Sequence, residues 1–536
     1  MVDLAKYELG DLDAWKDQRA LARVFVPTEQ FSELPELHRC FLSGRRGSGK
    51  SAIAIMAQSQ EQWDAAYVIQ GERSQYGAYM DLVDDLVSRE RAGLRVDVKR
   101  FVHVLWRYCL QILILQKAAE FATARSLAAS AIQEFLWKHR YQDADMGPLL
   151  HRLFQEAMLQ SGLGPAAIFG YLQERLNDNG FKSAINAISE TLGTSRILIV
   201  LDTIESYRIH EQSMVEGLRG VVGAIIGLLS EDKLRSVGIR FFIPAEIFDQ
   251  VAAEIPAKIV ANTVFLRWRT GDLIRMLAKR YITVLKTQQL LQDGAIERLT
   301  QSIDAIETTA SSVDGAQGKA LRQEFWYNSK LLPDRIQNRR NMAEDTFGYL
   351  LRHTQRRPRE LIFVMNQIAR KAAARGELPF ISEKSVIEGI HDPKTLQLLV
   401  AEALSPFEGY VDRIMDRARS AFTGRPRTFD FSELKRFAKA FYDLGAVHDI
   451  QPERFLEFLV RSGVVGIVTS RSASSPYLAA HFEYLMQGHL LLGRGEYCVH
   501  PALGDCFGMA PVAPHKSIYP IPEDDLWLED EIGVRV

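Results

Sequence analysis

Residues 44–51 read GRRGSGKS, which fills the spacing G-x-x-x-x-G-K-[ST] with Gly44, Gly49, Lys50 and Ser51 and places Arg45, Arg46, Gly47 and Ser48 between them. Glycines at these positions let backbone N–H groups face an anion without obstruction from a Cβ, and a following helix adds its positive N-terminal end. The flanks agree. The apolar run CFLS precedes the loop, and AIAIMAQSQEQW, helical in composition and opened by Ala52, follows it. A strand–loop–helix unit of this kind belongs in a mostly parallel sheet, because only a crossover connection brings the chain back to the next strand.

Further apolar runs supply the neighbouring strands. AAYVIQ at 65–70, RILIVLD at 196–202, GIRFFI at 238–243 and NTVFLRW at 262–268 read as strands, with a helix around 214–229 between the second and the third. RILIVLD in particular has the unbroken apolar character of a strand buried on both faces. From about 94 to 192 the chain is instead rich in Ala, Leu, Gln and Lys with apolar spacings of three and four, which predicts a helical insertion. Helical patterning resumes after Arg269. The segment 423–430, with Gly424 and Pro426, reads as a linker or turn. FSELKRFAKAFYDLG and QPERFLEFLVRSGVV then read as two amphipathic helices, and GIVTSRSASSPYL and GEYCVHPAL as the two strands of a wing. The tail PEDDLWLEDE reads as a solvated acidic end.

A chain of 536 residues exceeds what one hydrophobic core serves, so two to four domains are expected. The pattern places an N-terminal segment at 1–30, an α/β core at 31–269 carrying the insertion at 94–192, a helical lid at 270–400 and a winged-helix-like domain at 401–536. Lys+Arg number 65 and Asp+Glu 67, so no global basic field points to nucleic acid or an anionic membrane, and any such surface is local. Cys40, Cys109, Cys498 and Cys506 lie too far apart for a CxxC knuckle and read as reduced, buried thiols. The start carries acids where a secretory signal needs a basic segment, and the most apolar stretch, 101–116, is broken by His103, Arg107 and Gln111. A soluble, cytoplasmic protein without a membrane partner is the expectation.

The loop predicts a phosphate site. Lys50 would reach the β- and γ-phosphates of ATP, and the Ser51 hydroxyl would ligate Mg²⁺. A metal anchor and a water-orienting group usually come from the end of a neighbouring strand. Asp202 ends RILIVLD and Glu205 follows three residues later, so Asp202 is assigned to Mg²⁺ and Glu205 to the general base. For Glu205 the alternative is a plain helix cap.

With these residues in place, the chain resembles the AAA+/STAND P-loop ATPases, most closely the KAP-like bacterial ATPases often encoded in antiviral defence loci. LDTIE is similar to that group's D-x-[LI]-[DE] strand end, FLRWRTGDLIRMLAKRYI to its strand and helix, and TQRRPRELIFVMNQIARKA at 354–372 to its lid. The resemblance implies a sensor-like arginine at the lid, Arg357 or Arg359, brought onto the γ-phosphate, the second as a catalytic group. It also implies a C-terminal winged helix around HFEYLM and CVHPAL. One departure stands out. Where the group often has R-x-D after the sensor strand, this chain reads FFIPAEIFDQV, with Pro244 and Glu246 at those places, and Arg240 earlier on the strand would point into the sheet.

Two functions follow as expectations. The first is a nucleotide-dependent switch, an ATPase whose state governs oligomerisation or an effector protein. The second is a DNA-handling ATPase with its winged helix on duplex DNA. The local basic clusters that motivate the second are Arg413, Arg417, Arg419, Arg425, Arg427, Lys435, Arg436 and Lys439, and residues 352–359. His481, His489 and His500 near Cys498 lack the spacing of a zinc site and read as wing and core residues.

Overall fold

Runs that are apolar along their whole length have no polar face to show to water, and in this chain they pair side by side. The computed structural model describes the chain apart from residues 1–3, 35, 37–38, 59–62, 71–80, 82, 91, 93–96, 122–126, 144, 161–164, 203–211, 249–250, 252–260, 308–313, 405–415, 417–418, 421, 442–451, 471–473, 486–494, 511–515, 523–524 and 535–536. It separates into two compact units. One contains Glu33–Gly44 and Ile53–Leu266, the other Met1–Ser32, Arg45–Ala52 and Arg267–Val536.

The first unit is built on five parallel strands, β1 (Phe41–Gly44), β2 (Ala65–Gln70), β3 (Ile197–Asp202), β4 (Val237–Pro244) and β5 (Thr263–Phe265), in the order β2-β3-β4-β1-β5. All four pairings are parallel, so every carboxyl end lies on one edge, with Gly44 in register with Pro244 and Asp202 with Gln70. β1, β3 and β4 are buried throughout, as strands covered on both faces must be. Helix α1 (Lys50–Ala57) follows β1 after the glycine loop.

Among the described residues, the predicted insertion holds five helices, α2 (Val98–Glu120), α3 (Leu127–His139), α4 (Met146–Gln160), α5 (Pro165–Asn177) and α6 (Asn179–Leu192). α2 is apolar on nearly every face and buries Trp106 and Tyr108, so it forms the centre of the insertion. It packs tightly on α7 (Gln212–Leu229), which follows β3. Two glycines of α7 permit that approach: a Cβ at Gly220 would fall 2.4 Å from Val102 Cγ1 and one at Gly223 2.7 Å from His103 Nδ1. Arg240 of β4 is 1% exposed and donates to the Leu34 carbonyl at 2.9 and 2.6 Å and to the Glu36 carbonyl at 2.9 Å, inside the unit as its place on the strand predicted.

In the second unit a helical region comprises α8 (Thr270–Thr287), α9 (Asp293–Glu307), α10 (Gly315–Leu321), α11 (Thr346–Arg352), α12 (Pro358–Ala374), α13 (Glu383–Ile390) and α14 (Pro393–Ala403), with a short hairpin of β6 (Arg335–Gln337) and β7 (Ala343–Asp345). Its core gathers Leu277, Tyr281, Phe325, Trp326, Phe347 and Met365. Beyond it lies a five-stranded sheet in the order β12-β10-β9-β11-β8, formed by β8 (Thr428–Asp430), β9 (Val465–Ser470), β10 (Tyr477–His481), β11 (Glu496–Val499) and β12 (Ser517–Pro520). The helices here are α15 (Phe431–Phe441), α16 (Pro452–Arg461), α17 (Pro501–Cys506) and α18 (Trp527–Glu531).

Three local readings change. GIVTSRSASSPYL is not one strand but parts of two, β9 and β10, which pair antiparallel. The stretch read as a linker ends in β8, because Phe429 is apolar between two polar neighbours and buries its side chain while they face outward. The acidic tail is not wholly solvated, since Glu529 on α18 is fully buried and bonded to Arg356. The four cysteines are free and buried. Among the described residues, no helix is long and apolar enough to cross a membrane.

Candidate functional site

The glycine loop lies in the second unit, and its shape is set by donors that grip its carbonyls. Gly47 and Gly49 have φ of +77° and +97°, a region in which a side chain would be strained. Position 47 has a second constraint, because a Cβ there would sit 3.3 Å from Arg359 Cβ. Around this turn, four successive carbonyls are engaged. The Arg45 carbonyl accepts from Lys50 Nζ at 3.0 Å and from Ser48 N–H at 3.1 Å. The Arg46 carbonyl accepts from Arg357 Nη1 at 3.1 Å, the Gly47 carbonyl from Arg359 N–H at 3.3 Å, and the Ser48 carbonyl from Trp268 Nε1 at 2.8 Å.

A planar trans peptide points its N–H opposite to its C=O. Holding the Arg46 carbonyl towards Arg357 and the Ser48 carbonyl towards Trp268 therefore turns the N–H groups of Gly47 and Gly49 to the other side. Inward-facing amides at the start of a helix are what an anion needs. Ser48 is 6% exposed, and its hydroxyl lies buried without a hydrogen-bond partner. Lys50, the first residue of α1, is 4% exposed. These features fit a phosphate chain, with the amides and Lys50 as donors and Ser51, half-buried one residue further along, as a metal ligand.

The remaining assigned residues fall in different places. Gly44 is the last residue of β1, and Ala52 lies in the first turn of α1. Arg46 meets Arg357 through its carbonyl, whereas the Arg45 guanidinium bonds the Arg461 carbonyl at the end of α16. Asp202 ends β3 at the carboxyl edge of the parallel sheet and is 4% exposed. Glu205 lies outside the described residues. Pro244 ends β4, and Glu246 sits in the short turn Ala245–Ile247 that follows.

Arg357 and Arg359, the two arginines that the resemblance singled out, separate clearly from each other and from Arg356. Arg356 adopts φ +53° and sends its side chain to Thr270 Oγ1, at 3.1 Å, and to Glu529. Arg357, as the residue before α12, turns to the loop. It is 4% exposed, bonds the Arg46 carbonyl and the Gln355 side chain, and lies 3.8 Å from Glu360. Arg359 points past Gly47 to Glu402, at 3.2 Å, and to the Leu12 carbonyl, at 3.3 Å. Of the pair, Arg357 is the one whose guanidinium touches the loop. Burial raises the Glu360 carboxyl to about 7, and Arg357 offsets only part of that.

Sequence reasoning passed over Trp268, Glu360 and Glu402. The tryptophan left a signal, since an indole directly after β5 brings an N–H donor to the strand end. The acids left none, because their roles depend on which helix ends meet. Comparison of this chain with protein-family models, with curated proteins and with solved structures finds no match in any of the three.

Proposed function

We propose that this protein is an ATP-binding and ATP-hydrolysing switch of AAA+/STAND type, whose lid and winged-helix-like domain read the nucleotide and govern self-assembly or a partner protein. The observation that carries this reading is the loop at 45–49, with its carbonyls taken from outside and the Gly47 and Gly49 amides turned the other way. The sheet order supports it too, for β3 with Asp202 and β1 with Gly44 end on the same edge with only β4 between them.

Bound ATP with Mg²⁺ would supply a phosphoanhydride bond whose cleavage resets the switch. In this reading Lys50 exchanges the Arg45 carbonyl for the β- and γ-phosphates. Ser51 would ligate the metal, and by the sequence assignment Asp202 would anchor it and Glu205 would polarise the attacking water. Arg357 adds a planar cation at the loop, joined to the lid through α12. Because α12 also sets the Arg359 N–H on Gly47, a shift of the loop on nucleotide binding moves the lid.

The test is ATP affinity, measured by calorimetry, for the wild type and for Lys50→Ala. A loss of ~100-fold or more is expected, and equal affinities would remove the phosphate-site assignment. Particle mass with and without ATP then reads the switch, with a change in mass as the expected result.

The duplex-DNA reading has less to stand on. Arg352, Arg356 and Arg357 are buried, Arg419 bonds the Cys506 carbonyl and Arg427 bonds Asp505. Arg413 and Arg417 lie outside the described residues, while Arg425, Lys435, Arg436 and Lys439 are exposed. Titration of duplex DNA at two salt concentrations decides it, because true phosphate contacts weaken steeply with salt.

A further inference from the structure

Three residues far apart in sequence converge in the second unit, away from the glycine loop. His353 caps the C-terminal end of α11, His391 caps that of α13, and Asp505 lies on α17. Among the described residues they are the one group of three His, Cys, Asp or Glu side chains whose ligand atoms all lie within 4.8 Å of one another. His353 Nε2 is 3.6 Å and His391 Nδ1 3.5 Å from the same oxygen, Asp505 Oδ2.

Those separations are too long for good hydrogen bonds. They do match the edge of a tetrahedron around an ion with bonds of 2.0–2.2 Å, which is ~3.4 Å. His391 Nδ1 is buried and has no hydrogen-bond partner, so the metal-free cluster leaves a ring nitrogen unsatisfied. The other ring nitrogens are anchored. His353 Nδ1 donates to the Tyr349 carbonyl at 2.8 Å, which requires its proton there and leaves the lone pair on Nε2. His391 Nε2 meets the Tyr349 hydroxyl at 2.6 Å, so a proton on Nε2 leaves Nδ1 as the free lone pair. Oriented imidazoles with second partners of this kind are the usual support of a metal site.

Five basic side chains line a cavity beside the cluster, Arg339, Arg340, Arg352, Arg427 and Lys516. Arg352 is matched by Glu344 and Arg427 by Asp505 Oδ1, and the remaining three favour an anion as the fourth ligand of the ion. The C-terminal ends of α11 and α13 add negative ends of helix dipoles. The cavity, of about 60 Å³ and lined also by both histidines and Asp505, has room for an ion and a water.

We propose that His353, His391 and Asp505 bind a single divalent transition metal of the zinc class, with water or an exogenous anion as the fourth ligand. The ion would tie the ends of two lid helices to the C-terminal domain. This site is independent of the nucleotide reading.

The test uses the purified full-length protein, stripped with chelator and titrated with Co²⁺. One equivalent should bind with the visible absorption of four-coordinate cobalt and be displaced by Zn²⁺, and Zn²⁺ should raise the melting temperature. His391→Ala should lose at least ~100-fold in affinity, and Tyr349→Phe, which removes the partner of Nε2, about 10-fold. If His391→Ala does not fold, Asp505→Asn and His353→Gln carry the same expectation, with circular dichroism checking the fold. A Co²⁺ complex without the four-coordinate spectrum, or equal affinity in the wild type and a folded ligand variant, overturns the proposal.

Discussion

Two buried arginine–glutamate pairs sit five residues apart on the same basic stretch and have opposite characters. Arg352 grips Glu344 through two bonds of 2.9 Å, and Asn338 and Tyr477 occupy the remaining positions on that carboxylate at 2.5 and 3.1 Å. Arg357 and Glu360 stand 3.8 Å apart with no bond between them. Burial pushes both acids up, but Arg352 and Asn338 more than reverse it for Glu344, while Glu360 remains raised to about 7. A buried pair contributes to stability when every lone pair is used, and otherwise leaves a charge in search of a partner. The first pair is a structural lock. The second keeps an arginine in reserve, beside the loop proposed to bind phosphate.

Breaking the lock should have the largest effect. Arg352→Met strands the Glu344 carboxylate, and a loss of about 3–5 kcal/mol in denaturant unfolding is expected. A loss below ~1 kcal/mol would show that the network is not what holds β7 against α11.

The slack pair has its own pH signature. A carboxyl whose folded pKa lies above its unfolded value keeps its proton longer in the native state. Stability should therefore fall as pH rises from 4.5 through about 7. Glu344, held below its ordinary value, acts in the opposite sense and costs stability only as pH falls through its depressed pKa. Glu360→Gln should flatten the first slope and gain ~1–2 kcal/mol on the alkaline side. An unchanged slope in thermal melts across that range would assign the pH dependence elsewhere.

Arg357→Ala sharpens the contrast from the other side. ATP turnover should fall about 10-fold with the stability changed by no more than ~1 kcal/mol, the reverse of Arg352→Met. Equal turnover in variant and wild type would make Arg357 a brace for the Arg46 carbonyl and nothing more. The smallest effect belongs to Arg45→Ala, which removes the bond to the Arg461 carbonyl. A stability loss under ~1 kcal/mol is expected in denaturant unfolding, and a larger loss would make this contact a main tie of the loop to α16.

Much of the first unit could be read in advance. The apolar run 197–201 and the run 238–243, interrupted only by Arg240, became β3 and β4 because a strand covered on both faces carries its burial in its own residues. The insertion appeared as helices for the same local reason. The sheet of the second unit was less legible. β8 and β12 span 3 and 4 residues, too short for a period to establish itself, and acquire their conformation from pairing with β11 and β10. Among the histidines, His500 reads from the sequence as a core residue and packs there against Phe482 and Tyr484. The cluster that forms joins residues 353, 391 and 505.

By itself the sequence determined the glycine loop, the parallel sheet that delivers it and the residue types available for phosphate. Each follows from local sterics or local periodicity, which neighbouring residues alone decide. Only the tertiary structure decided which arginine touches the loop, which acids are satisfied and which imidazoles meet. Those outcomes depend on where helix ends and strand edges come together, and on the burial that sets the cost of each charge there. Arg352, Arg356, Arg357 and Arg359 share one basic stretch, and the fold sends them to Glu344, Glu529, the Arg46 carbonyl and Glu402.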